Sequence, residues 1–234
     1  RVLREAASKA GIQTILFYSS VAVYGLQSVY TTEESTPKPD HPYGGSKLAG
    51  EKVLYAWCAE QPNRKVIIIR PTVVYGPGNK ANMFSLIQQI DRGLYFHIGK
   101  ADNVKSIAYV ENLVQATLFL LKNVSQSGVS IFNYADEPQL TTRQISTQIA
   151  HVLNKKIRIT LPLGVALLLG KPFDVFIKLS GKNLPVSSAR IKKLATATQH
   201  SAPKIKEMGY KPFFDTLTGL EKMVRWYKVY KKQQ

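Results

Sequence analysis

The run Lys65-Val66-Ile67-Ile68-Ile69 is too apolar to show a face to water, so it has to be a strand covered on both sides, as in a parallel α/β sheet. A second run, Thr14-Ile15-Leu16-Phe17-Tyr18, comes before it. Between the two, residues from Tyr43 to about Glu60 carry Leu48, Val53, Leu54 and Trp57 at mostly three- and four-residue spacing, the period of a helix. Val2 to Lys9 reads as a further helix, stopped by Gly11 ahead of the first strand. Ile131-Phe132-Asn133-Tyr134 reads as a later strand of the same sheet, and from Thr141 on the pattern is mostly helical, with Pro162, Pro172 and Pro185 as punctuation. Loops rich in Gly, Pro and Asn, Pro71 to Asn79 and His97 to Asn103, interrupt the sheet part.

The residues that carry chemistry cluster at the first strand and the helix after it. A free tyrosine has a pKa of about 10 and is a poor base at neutral pH. Bringing any tyrosine to about 7 takes about 4 kcal/mol of preferential stabilisation of its phenolate. In Tyr43-Gly44-Gly45-Ser46-Lys47 a lysine stands four residues after the tyrosine, on the same face of the expected helix, where its cation can act in that sense. Tyr18-Ser19-Ser20 puts the hydroxyl of Ser20 at the C-terminal end of the first strand, the end at which open α/β sheets bind ligands.

Bulk properties set bounds. The 234 residues suffice for one large domain or two small ones, and 44% hydrophobic with 20% charged residues is the balance of a soluble globular protein. The single cysteine, Cys58, excludes an internal disulfide and a cysteine-based metal cluster and fits a reducing cytoplasm. His41, His97, His151 and His200 are scattered, with no pair at metal-ligand spacing, so no metal is expected and surface or capping roles are. The net charge of +17 favours anionic partners, but the basic stretches Lys182 to Lys193, Lys204 to Lys211 and Lys222 to Lys232 contain no nucleic-acid-binding motif, and a basic solvated surface is the expectation. The most apolar stretch, Ile159 to Gly170, is too short for a span, so stable membrane insertion is not expected; the segment reads as a core helix rather than a membrane-contacting one.

No glycine-rich G-x-G-x-x-G turn is present, and Gly76-Pro77-Gly78 has the spacing of a plain turn rather than a phosphate loop. The chain opens at Arg1 directly in a helical pattern, which reads as a cut.

The motifs in order resemble the extended short-chain dehydrogenase/reductases, the NAD-dependent epimerase/dehydratase family. Val2-Leu3-Arg4-Glu5-Ala6-Ala7 with Ala10-Gly11-Ile12 is similar to the family's helix before the catalytic strand, and Ser19-Ser20-Val21-Ala22-Val23-Tyr24-Gly25 to its serine motif. Pro42-Tyr43 with Ser46-Lys47 and Glu51 resembles its Tyr-x-x-x-Lys helix, and Arg70-Pro71-Thr72-Val73-Val74-Tyr75-Gly76-Pro77-Gly78 its junction to the substrate domain. The resemblance implies a doubly wound, parallel, Rossmann-like sheet lacking its first strands, with a smaller, mostly helical substrate domain. Residues 1–75 would be the C-terminal part of the dinucleotide-binding domain with a strand returning near 129–135, and residues 76–128 and 136–234 the substrate-binding domain. It implies Tyr43 as acid/base, Lys47 lowering its pKa and bonding the nicotinamide ribose, Ser20 holding the reacting oxygen, and Ser19 and the backbone after Pro71 near the nicotinamide of NAD or NADP. Lys105, leading the segment to Asn112, matches the position of a basic residue that contacts a substrate diphosphate; a generic surface lysine is the rival reading.

Departures narrow the chemistry. Val21 and Ala22 stand where the family's 4,6-dehydratases carry an Asp-Glu pair and cannot transfer protons, which argues against dehydration. Val73 stands where many epimerases place a substrate-bonding asparagine. The expected function is an NAD(P)-dependent epimerase or oxidoreductase of a nucleotide sugar, cytoplasmic and serving surface-polysaccharide synthesis, with a homodimer through the helices flanking the tyrosine as the family's usual partnership. The rivals are a 3-beta-hydroxysteroid-dehydrogenase-like reductase of an apolar alcohol, with Ile159 to Gly170 lining its pocket, and a non-catalytic binding subunit. The 234 residues alone are expected to bind NAD weakly or not at all, and to associate through an exposed sheet edge.

Overall fold

The computed structural model describes residues 2–26, 30–169, 171, 191 and 196–233. Pro172, Pro185 and most of the stretch from Lys182 to Lys193 lie outside them. The chain forms two compact units: Arg1–Val74, Ser106–Pro138 and Gln199–Thr216 make the first, and Tyr75–Lys105, Gln139–Thr198 and Leu217–Gln234 the second.

The first unit is built on three parallel strands, β1 (Thr14–Tyr18), β2 (Lys65–Pro71) and, later in the chain, Gly128–Tyr134, in the order β1, β2, Gly128–Tyr134. In register, Phe17 lies beside Ile68, and Ile68 beside Ile131. The central strand explains its own composition. Val66 and Ile68 pack against Ala7 of helix α1 (Val2–Lys9) and Leu54, Trp57 and Cys58 of helix α2 (Pro42–Ala59). Ile67 and Ile69 point the other way, into a cluster with Leu113, Ala116 and Leu120 of the helix Val110–Asn123 and Ile205 of the helix Pro203–Glu207. All four are fully buried, each contributing about 1.5–3 kcal/mol of transfer free energy, and helices on both faces make the sheet doubly wound, as expected.

Local chemistry fixes the ends of α2. Pro42 occupies its first turn, where a missing N–H costs nothing, and the His41 ring nitrogen accepts from the Tyr43 amide at 3.2 Å. At the other end Arg64 donates to the Trp57 carbonyl at 2.7 Å, satisfying an end-of-helix acceptor, and Trp57 bonds Ser8 at 3.0 Å, tying α2 to α1.

Residues 106–138 and 199–216 pack with the sheet rather than with the second unit. The cause is the apolar face of Val110–Asn123, whose Leu113, Ala116 and Leu120 find their partners on β2.

The second unit continues the numbering with α3 (Asn82–Asp91), whose Phe84 meets Trp226, Tyr227 and Tyr230 of the C-terminal helix Thr216–Lys232 at ring separations of 6.0, 5.5 and 5.8 Å. Asp91 accepts from Tyr227 at 2.9 Å and pairs with Lys231 at 2.6 Å. The helix Thr142–Val152 begins in a capping box between Thr141 and Gln144. The short strands His97–Ile98 and Thr160–Leu161 pair in parallel.

Two expectations are corrected here. The stretch after Ile159 is not a core helix: residues 163–169 are helical, but Leu163, Val165, Leu168 and Leu169 are exposed, and of the stretch's described residues Ala166 is the one held in the core. His97 and His200 are buried rather than superficial, because each ring has a hydroxyl partner, Ser146 at 3.0 Å and Thr31 at 2.5 Å. Among the described residues no helix is long and apolar enough to cross a membrane, and no group of His, Cys, Asp and Glu is arranged to hold a metal ion.

Candidate active site

The C-terminal end of β1 runs straight into the serine turn. The Ser19 amide donates to the Ile69 carbonyl at 2.8 Å, prolonging the sheet pairing by one residue. Ser20 then caps a short 3-10 turn, Val21–Tyr24, its Oγ accepting from the Ala22 amide at 3.1 Å. A hydroxyl used as a cap keeps one fixed direction at the strand end.

Helix α2 starts against this turn, and glycine is what permits it. A Cβ on Gly44 would come within 2.3 Å of the Ala22 carbonyl oxygen and 3.1 Å of Pro39 Cβ. Tyr43, immediately before it, is half exposed, with its ring 6.1 Å from that of His41. One turn along, Lys47 donates its ammonium to the Tyr18 carbonyl at 2.9 Å and holds its Nζ 5.8 Å from the centre of the Tyr43 ring. Ser19, Ser20, Tyr43, Lys47 and Pro71 therefore all belong to the first unit, gathered about the C-terminal ends of β1 and β2.

Beneath them lies a buried network that sequence reading did not find. Arg70, at the end of β2, takes the Glu51 carboxylate in a two-pronged grip, Nε at 2.9 Å and Nη2 at 2.6 Å, with both side chains out of solvent. Its third donor, Nη1, reaches the Tyr24 hydroxyl at 2.8 Å, and that hydroxyl donates to Asn133 at 2.8 Å. Burial works against the Arg70 charge, but the bonds to Glu51 and Tyr24 outweigh it and hold the guanidinium firmly protonated. Glu51 is one turn beyond Lys47 on α2, and Tyr24 closes the serine turn, so a single guanidinium ties both halves of the site to the central strand. Glu33, whose carboxylate accepts from the Asn133 amide at 3.0 Å, is pushed above the usual carboxylate range by burial. Glu51 and Arg70 stood inside the recognised motifs, but their pairing across 19 positions is a fact of folding, not of spacing.

Comparison with known proteins bears out the family resemblance. A family model described as the NAD dependent epimerase/dehydratase family matches residues 1–135.

The chain belongs to that family.

Among the epimerase/dehydratases it is 38% identical over 230 residues to the N-acetyl-alpha-D-glucosaminyl-diphospho-ditrans,octacis-undecaprenol 4-epimerase of Escherichia coli O157:H7, covering 97% of this chain and 69% of that protein. It is 30% identical over 188 residues to the UDP-glucose 4-epimerase of Vibrio cholerae, covering 76% of this chain and 56% of that one. The UDP-glucuronic acid 4-epimerase of Bacillus cereus, solved in complex with NAD, shares its fold with a TM-score of 0.73 at 19% identity, over 97% of this chain and 65% of that one. The chain thus spans between 56% and 69% of the length of these three proteins.

A nicotinamide cofactor fits what the first unit offers. The hydroxyls of Ser19 and Thr72 are buried without a protein partner, and they stand just past the C-terminal ends of the neighbouring strands β1 and β2. Two orphaned donors at the ligand-binding end of a parallel sheet are suited to a flat amide such as the nicotinamide carries. Thr72 was not singled out from the sequence; its neighbour Pro71 was. Lys105 lies in the second unit, paired with Leu140 across an antiparallel bridge, and its ammonium donates to the Thr196 carbonyl at 2.5 Å.

Proposed function

We propose that this protein is an NAD(P)-dependent 4-epimerase of a hexose carried on a diphosphate, with polyprenyl-diphosphate-linked N-acetylglucosamine as its substrate and surface-polysaccharide assembly as its setting. The observation that carries the reading is the likeness to the Escherichia coli undecaprenol-linked epimerase through 97% of the chain. Val73 supports a carrier other than a nucleotide, since it offers no hydrogen bond at the position where the resemblance puts a nucleotide-sugar contact. A UDP-sugar is the second reading, favoured by the likeness to the Vibrio cholerae enzyme.

In this reading the cofactor, when bound, supplies a place to leave and recover a hydride. The chain's residues do the rest. Ser20 holds the C4 hydroxyl of the sugar; Tyr43 takes its proton as hydride leaves the same carbon, giving a 4-keto sugar. Lys47, beside Tyr43 and fixed to the Tyr18 carbonyl, stabilises the tyrosine anion. When the keto sugar turns its other face, hydride returns to C4 and Tyr43 gives the proton back, so protons and electrons balance over the cycle.

The test is product analysis. Protein expressed from its complete reading frame is incubated with NAD and, separately, polyprenyl-diphosphate-N-acetylglucosamine, UDP-N-acetylglucosamine and UDP-glucose, and the released sugar is examined for inversion at C4. Inversion on the lipid carrier alone supports the first reading, and inversion on a UDP-sugar alone replaces it with the second. No inversion on any of the three removes the 4-epimerase assignment.

A further inference from the structure

The stretch that the sequence assigned to the core stands out from the second unit instead. Its base is fixed: the His97 amide donates to the Ile159 carbonyl at 3.0 Å and the Gly99 amide to the Leu161 carbonyl at 2.8 Å. Ala166, 3% exposed, anchors the helical residues 163–169 to the unit. From that base Ile159, Leu163, Val165, Leu168 and Leu169 project with 57, 40, 44, 62 and 56% of their surface in water. Val165, Leu168 and Leu169 have the i, i+3, i+4 spacing of one helix face. Folding spends apolar residues on the surface in such a concentration when something else covers them.

The flanking charge says what covers them. Lys155, Lys156 and Arg158 lead into the stretch and Lys171 follows it, all four exposed. No aspartate or glutamate occurs between Glu137 and Asp174. Asp91, whose carboxylate feels the Lys155 charge, is already held by Lys231 at 2.6 Å. A protein partner able to bury leucines among so many cations would have to supply the anions itself, whereas a bilayer of acidic phospholipid offers both at once: acyl chain for the leucines and phosphate for the lysines.

We propose that residues 155–169 together with Lys171 dock the protein on anionic lipid surfaces, with the leucine face set into the headgroup boundary and the cations on the phosphates. This is contact, not insertion, since the apolar stretch Ile159 to Gly170 is too short for a span. Its purpose rests on the proposed lipid-linked substrate, whose polyprenyl chain resides in a membrane, but the docking is measurable without any substrate.

The experiment is co-sedimentation of the full chain with vesicles of phosphatidylglycerol and of phosphatidylcholine containing no glycolipid. Wild-type protein is expected to bind phosphatidylglycerol, to lose that binding at an ionic strength of about 0.5 M, and to ignore phosphatidylcholine. Leu168→Glu with Leu169→Glu, and separately Lys155→Glu with Lys156→Glu, are each expected to weaken binding by about tenfold or more. Because all four side chains are exposed, both variants should keep the wild-type circular dichroism. Absence of vesicle binding overturns the proposal. So does leucine-variant binding equal to wild type, which would assign the effect to the general +17 charge, or a dimer that the leucine variant splits while vesicles stay unbound, which would make the face a contact between copies. Docking without C4 inversion in the activity test would leave the surface standing and remove the lipid-linked substrate.

Discussion

The Lys47 ammonium donates to the Tyr18 carbonyl at 2.9 Å, so the helix bearing the candidate acid/base is fastened to the strand that delivers Ser19 and Ser20. The same ammonium lies 5.8 Å from the Tyr43 ring centre, so one cation both anchors the helix and stands beside the proposed acid/base.

Removing that cation or the phenol tests the site directly. Tyr43→Phe and Lys47→Met are each expected to lower turnover about 10²- to 10⁴-fold while leaving the fold intact, because Tyr43 is half exposed and contributes little to the core. Turnover within a few-fold of wild type in Tyr43→Phe would dismiss the tyrosine mechanism.

Gly44 and Gly45 form a natural control pair. Gly44→Ala would drive a methyl to 2.3 Å from the Ala22 carbonyl, forcing α2 off the serine turn, and should cost about 1–3 kcal/mol of stability and most of the activity. Nothing lies within 4 Å of a Cβ on Gly45, so Gly45→Ala should stabilise the helix by up to about 1 kcal/mol. Urea unfolding of the two variants reads both signs, and equal effects would contradict the described packing.

The Arg70–Glu51 pair sits out of solvent, where one partner alone is a stranded charge. Arg70→Met and Glu51→Leu are each expected to destabilise by about 3–5 kcal/mol, and the two together by less than the sum. Additive losses in a denaturant series would mean that the two do not act as a pair.

His200 carries a pH signature. Burial depresses its pKa to about 4, against about 6.5 in the unfolded chain, so the unfolded state gains a proton first as pH falls. Its contribution to stability is whole above about pH 6.5 and is lost as pH falls toward 4. Relative to His200→Gln, wild-type protein should lose about 2 kcal/mol between pH 7.5 and pH 5. A difference that stays flat over that range would place the ring in water.

Much of the first unit was legible because its signals are local. The strand Thr14–Tyr18 and the helix Val2–Lys9 lie where apolar runs and Gly11 put them, and α2 was misjudged by only one residue at each end. The Gly76 turn was read correctly too, closing with a bond from the Asn79 amide to the Gly76 carbonyl at 3.1 Å. The placement of Ser20 at the end of β1 and of Tyr43 and Lys47 one turn apart on α2 was legible because intervals along one stretch of chain dictate it. The network of Glu51, Arg70, Tyr24 and Asn133 was not, since its partners come from four separate segments.

By itself the sequence determined that a wholly apolar strand must be roofed by helices, and that Ser19 and Ser20 would emerge at the end of the strand beside it, for both follow from period and hydrophobicity along one stretch of chain. Whether an apolar residue ends inside was a tertiary decision. Leu168 and Leu169 are as hydrophobic as Ile67 and Ile68, yet the first pair is left in water and the second is fully buried. Burial depends on what the rest of the chain brings alongside, and hydropathy at one position holds no record of that.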